Sequence, residues 1–171
     1  MAVLVDTVRN NSRQNTARAV EMLPALAKEA AENPQLFDVA GEAVWQIVEK
    51  AKDEQRAALL AYLSAWSDAR PENLELAREA AGGYRRAAKH AQAIKYYRRV
   101  VDRPFTSESA WQIGVAMSGL LDVYAHGTRD LAAVAALAET LEQTNGRMPP
   151  SLRQDLYRQL AEIYAAQKDG S

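Results

Sequence analysis

Apolar and small residues recur at helical spacing along most of the chain, and no stretch alternates with a period of two. That pattern predicts amphipathic helices and no strand. The clearest stretch is 73–104, NLELAREAAGGYRRAAKHAQAIKYYRRVVDRP. Leu74, Ala77, Ala80, Ala81 and Tyr84 mark the apolar side of a first helix. The pattern breaks near Lys89 and His90, and Ala91, Ile94, Tyr97, Val100 and Val101 mark a second helix, closed by Pro104. Two helices and a tight turn make one helical hairpin.

Similar punctuation lies on both sides. Residues 16–32 read as a helix that Pro24, inside it, should kink or split. Asn33-Pro34 opens the next segment, whose stripe is Leu36, Phe37, Ala40, Val44, Ile47 and Val48. Asp53 is a candidate N-cap for a helix to about Ser67, with Leu59, Leu60, Tyr62, Leu63 and Trp66 facing inward. Arg70-Pro71 ends it, because a residue before proline avoids helical geometry. After Pro104, Thr106 or Ser107 caps a helix with Glu108 in its first turn and Trp111, Val115, Met117, Leu120, Leu121 and Tyr124 on one side. Gly127-Thr128 makes a turn, Leu131, Val134, Leu137 and Leu141 face back, and Asn145-Gly146 stops that helix. Pro149-Pro150 starts a final helix bearing Leu152, Leu156, Leu160, Ile163 and Tyr164.

The expected organisation is an N-terminal helical segment, 1–33, followed by a repeat region, 34–171. Its hairpins cover about 34–70, 71–104 and 106–145, and its final helix 149–167. The fold class is all-α, a solenoid of antiparallel hairpins with about eight to nine helices. Another α-solenoid or a compact helical bundle is the alternative.

Composition narrows the class. An apolar fraction of 48% and a charged fraction of 25% belong to a globular chain rather than a disordered one. No apolar run is long enough to span a bilayer, and the first residues lack the pattern of a secretory signal. The chain has no cysteine. That excludes a disulfide framework and thiolate chemistry, fits a cytoplasmic setting and is compatible with a periplasmic one. The MA opening and GS ending point to a piece of a longer chain.

Charge is unevenly placed. The net charge is −1, yet residues 71–105 carry a balance of +4, against −2 for 1–70 and −3 for 106–171. Arg85, Arg86, Lys89, His90, Lys95, Arg98, Arg99 and Arg103 make this island, which reads as a solvated face or as a site for an acidic peptide, a phosphate or an anionic surface. For nucleic acid the footprint is small. His90 and His126 have no metal-ligand spacing around them, and no phosphate-loop or nucleophile motif occurs. The expectation is therefore a protein that is not an enzyme and takes no cofactor. Trp45, Trp66 and Trp111 fall on apolar stripes and read as core. Gly41, Gly82, Gly83, Gly114 and Gly119 sit within helices, where each costs about 1 kcal/mol relative to alanine. Close helix contact is the expected compensation.

Tyr84, Tyr124 and Tyr164 lie 40 residues apart. Ala81, Tyr84, Ala93, Tyr97 and, one position early, Pro104 resemble the tetratricopeptide repeat, although that repeat is roughly 34 residues long. The likeness covers about 72–167. It implies a right-handed superhelix whose concave groove is lined by the first helix of each hairpin. Mapped by the tyrosines, that groove holds Arg78, Arg85 and Arg86, then Ser118, Asp122 and His126, then Arg158 and Glu162. The Lys and Asn clamp of chaperone-binding members is absent at Arg78, Gly82, Ser118 and Asp122. The resemblance implies a non-catalytic scaffold that binds a partner protein or peptide in the groove or at the last helix, as a module of a larger bacterial assembly or export apparatus. The alternatives are a self-associating module, in which Leu152, Leu156, Leu160 and Ile163 dock on a second copy, and an anion or nucleic-acid binder using the basic hairpin.

Overall fold

Short polar side chains and backbone conformation set most of the helix ends. The computed structural model describes residues 6–8, 10–11, 15–36 and 55–169, and within them every regular element is helical. The chain divides into two compact units, Met1–Leu76 and Ala77–Ser171.

In the first unit, α1 (Thr16–Glu32) packs against α2 (Arg56–Ala69). Asn15 caps α1 by accepting the Arg18 amide at 3.2 Å. Pro24 neither ends nor divides this helix, which runs continuously through it. Its ring is exposed, while Leu23 and Leu26 on either side are fully buried. Losing one backbone hydrogen bond at a proline costs about 3 kcal/mol, and two buried leucines at about 1.5–3 kcal/mol each offset it. From α2, Leu59, Leu60, Tyr62, Leu63 and Trp66 are buried as the periodicity requires. Arg70, non-helical at φ −131° and ψ 68°, ends α2 before Pro71, and its guanidinium donates to the Pro34 carbonyl at 3.2 Å. The expectations for Phe37 to Val48, for Gly41 and Trp45, and for an Asp53 cap lie outside the described residues.

The next helix, α3 (Leu74–Arg86), begins where Asn73 accepts the Leu76 amide at 3.1 Å. The second unit comprises most of α3 with α4 (His90–Val101), α5 (Ala110–Asp122), α6 (Leu131–Thr144) and α7 (Pro150–Asp169). The turn from α3 to α4 is closed by the Lys89 amide on the Tyr84 carbonyl at 2.9 Å. Ala88 takes the left-handed conformation, φ 54°, to make it. Thr106 and Ser109 lead into α5 by exchanging backbone-to-hydroxyl bonds of 2.9 and 3.2 Å in the turn before the helix, whose N-cap is Ser109 rather than Thr106 or Ser107.

Beyond Asp122, α5 continues as a π-helix, Val123–Thr128, and stops at Arg129 with φ 56°. Gly127 therefore lies inside a helical turn, and Arg129 makes the left-handed stop. A β-carbon at Gly127 would lie 2.6 Å from His90 Nδ1, so the glycine is there for closeness. Asp130 then caps α6 by accepting the Ala133 amide at 3.0 Å.

The core of this unit lies where α4, α5, α6 and α7 meet. From α4 it takes Ala93, Tyr96, Tyr97, Val100 and Val101, so Ala91 is exposed and Ile94 only half-buried. From α5 it takes Ile113, Ala116, Met117, Leu120 and Leu121. Trp111, expected in the core, is 51% exposed, because the stripe through Ile113 and Met117 faces inward and Trp111 lies off it. Leu131 and Tyr164 are also partly exposed, at 46% and 39%. Two glycines of α5 bring neighbours close. A β-carbon at Gly114 would collide with Leu152 of α7, and one at Gly119 with the Tyr97 ring of α4. Among the described residues no helix is long and apolar enough to cross a membrane.

Candidate functional site

A cleft of about 310 Å³ opens between α3, α5 and α7. From α3 it takes Arg78, Glu79, Gly82, Arg85 and Arg86; from α5, Val115, Ser118, Gly119 and Asp122; from α7, Gln159. Tyr97 reaches its floor from α4. Helical periodicity puts these side chains together: positions 78, 82, 85 and 115, 118, 122 each run along one helix face at i+3 or i+4.

The arginines are not equivalent. Arg78 donates from Nε to Gln112 Oε1 at 2.9 Å, pairs with Glu79 at 2.7 Å, and lies 5.3 Å from the centre of the Trp111 ring. Arg85 pairs with Asp122 at 2.5 Å. That bond raises its pKa, burial opposes the rise, and the Tyr97 phenol adds to it. Arg85 Nε is buried without an acceptor. Arg86 is exposed, and among the described residues it makes no ion pair. Its guanidinium folds back along α3, so that a β-carbon at Gly82 would lie 3.6 Å from it and 3.8 Å from the Tyr97 hydroxyl. Tyr97 is buried, and burial pushes its pKa upward against the pull of Arg85 and Arg86.

Opposite the arginines, Ser118 Oγ donates to Gln159 Oε1 at 2.9 Å, and Gln159 Nε2 returns a bond to the Ser118 carbonyl at 3.1 Å. The cleft thus brings together Arg78, Arg85, Arg86, Ser118 and Asp122 of the residues expected in a groove. The others lie elsewhere. His126 is exposed on the π-helix and lines a separate cavity of about 760 Å³ with Leu131 and Ile163. Arg158 is exposed and pairs with Asp155 at 2.9 Å, and Glu162 is exposed farther along α7.

Sequence reasoning passed over Gln159, Gln112, Glu79 and the exposed Trp111. Residues 111, 115, 118 and 122 form an i, i+4, i+7, i+11 stripe, and the more apolar stripe through 113, 117, 120 and 121 competes with it for the core. Comparing the two stripes would have placed Trp111 off the core face, where Arg78 lies over its ring.

The remaining basic residues are spread over several partners. Arg98 donates to the Tyr124 hydroxyl at 3.2 Å and pairs with Asp102 at 3.5 Å. Lys95 and Arg99 sit 4.7 and 5.1 Å from the centre of the Tyr96 ring, which stacks on Tyr84 at 5.7 Å. The His90 ring packs against Gly127. Among the described residues no three His, Cys, Asp or Glu side chains gather as a metal site requires.

Compared with protein-family models, curated proteins and solved structures, the chain finds no match in any of the three.

Proposed function

We propose that this chain is a non-catalytic helical-repeat scaffold, a tetratricopeptide-like solenoid, that holds a segment of a partner protein in the cleft between α3, α5 and α7. The observation that carries the reading is the common cleft of three helices, the first members of two hairpins and the final helix. It is lined by Arg86, which makes no ion pair among the described residues, and by Arg78, which lies over the exposed Trp111 ring. Side chains from successive hairpins converging on one concavity are what a repeat array offers a ligand. A place in a larger bacterial assembly or export apparatus rests on the repeat resemblance alone.

The two rivals have less to work with. Leu156, Leu160 and Ile163 are buried within this chain and Leu152 lies against Gly114, so they are not a surface for a second copy. The basic hairpin has its cations at several different partners rather than on one continuous strip, which a polyanion would need.

The test is affinity capture from the native lysate with the parent chain and with the double variant Arg86→Glu, Trp111→Ala. Both side chains are exposed, so helicity and melting temperature are expected to stay unchanged while a specific captured protein is lost. An unchanged captured set moves the partner surface away from the cleft.

A further inference from the structure

We infer that the cleft takes an extended peptide with two anchors: an acidic side chain at Arg86 and, about two residues away, an aromatic side chain on Trp111. The inference rests on the scaffold reading and adds the chemistry of the ligand to it.

The acidic anchor follows from the charges. Three guanidinium groups line the cleft with two carboxylates, and each carboxylate already has an arginine: Glu79 with Arg78, Asp122 with Arg85. Among the described residues Arg86 has no ion-pair partner, and it lies over the place where Gly82 has no side chain. The Tyr97 hydroxyl stands beside it. Tyr97 keeps its proton at neutral pH, so the position offers a guanidinium and a phenol together, and a carboxylate can accept from both.

The aromatic anchor follows from Trp111. Half of this residue is solvent-exposed, although Arg78 lies over its ring. An exposed indole held by a guanidinium, itself fixed by Gln112 and Glu79, is a rigid stacking surface, the kind of residue that dominates binding energy.

The spacing follows from helix geometry. Arg78 marks the level of Trp111 on α3, and the Arg86 guanidinium lies at the level of Gly82, four residues further along. At a rise of 1.5 Å per residue the two anchors are about 6 Å apart along α3. An extended peptide advances about 3.3 Å per residue, so about two residues span them. The cleft volume of about 310 Å³ suits a short peptide stretch and lies at the low end for a drug-sized ligand.

The experiment measures fluorescence anisotropy of labelled twelve-residue peptides, otherwise Gly and Ser, with Asp and Phe two positions apart. Controls carry Lys for Asp, or Asp and Phe at the two ends. The Asp–Phe peptide is expected to bind at least about tenfold more tightly than either control, and its affinity to fall as salt is raised. Arg86→Glu should reverse the preference between the Asp and Lys peptides, and Trp111→Ala should weaken both without altering it. Equal binding of the Asp and Lys peptides overturns the inference. So does absence of binding up to about 1 mM. In that second case, a lysate partner still released by Arg86→Glu, Trp111→Ala leaves the scaffold reading standing, and an unreleased one removes both.

Discussion

The Tyr97 ring fills the space that a side chain at Gly119 would occupy, and this contact fixes the distance between α4 and α5. The same phenol ends near Gly82 of α3, so one tyrosine spaces three helices and forms the floor of the cleft. Gly119→Ala gains about 1 kcal/mol of helix propensity but pushes against a buried ring, at a cost of about 1–3 kcal/mol. The expected net effect is destabilisation. Gly82→Ala meets its neighbours at 3.6 and 3.8 Å, ordinary contact distances, and should keep the propensity gain. Urea melts of the two variants are expected to shift in opposite directions from the parent.

Ala88 turns the chain from α3 into α4 with φ 54°. A left-handed residue with a β-carbon carries about 1–2 kcal/mol of strain, and glycine removes it while adding about 0.5–1 kcal/mol of unfolded-state entropy. Ala88→Gly should therefore stabilise the fold by about 0.5–1 kcal/mol in the same melts. A lower midpoint would mean that the turn is held without strain.

Much of the fold was legible because the punctuation is local. Asn15 and Arg70-Pro71 act where their chemistry requires, and the buried faces of α2 and α6 follow the apolar period except at Leu131. By contrast, α5 starts at Ala110 with Ser109 as its N-cap, so Thr106, Ser107 and Glu108 lie ahead of its first turn. What the sequence could not carry is register between helices. Facing residues are 34 apart for Arg78 and Gln112, 37 for Arg85 and Asp122, and 41 for Ser118 and Gln159. A uniform spacing of 40 thus points to Arg158 where Gln159 makes the contact. The π-helix is also invisible to a period of 3.6, and it moves the stop from Gly127 to Arg129. Pro24 is the reverse case: it does not split α1, and the leucines on both sides of it are buried.

Asp122 is a carboxylate that the protein already supplies to the cleft. It holds Arg85, whose Nε has no acceptor. Both side chains of the pair are more than a third exposed, so solvent screening limits its worth to about 0.5–1 kcal/mol. Asp122→Asn should lower stability by no more than that. It should also leave Arg85 as a second uncompensated cation, and tighten binding of the Asp–Phe peptide several-fold while weakening the Lys peptide. Stability and affinity moving in opposite directions would identify Asp122 as a competitor for the ligand. A loss of both would make it a purely structural partner of Arg85.

Tyr97 also ties the site to pH. Burial raises its pKa above the usual phenol value, with the two arginines pulling the other way. The folded chain therefore holds this proton more tightly than the unfolded chain does. The stabilisation is fully present below the unfolded value of about 10 and is lost as pH rises through the higher folded value. Urea melts between about pH 9 and pH 11 should show stability falling with pH in the parent and falling less steeply in Tyr97→Phe. The Phe variant keeps the ring that spaces α4 from α5 and removes only the hydroxyl. If the two curves run parallel, the phenol ionises no later in the fold than in water. The hydroxyl would then be no better than an ordinary exposed one as a donor to a bound carboxylate.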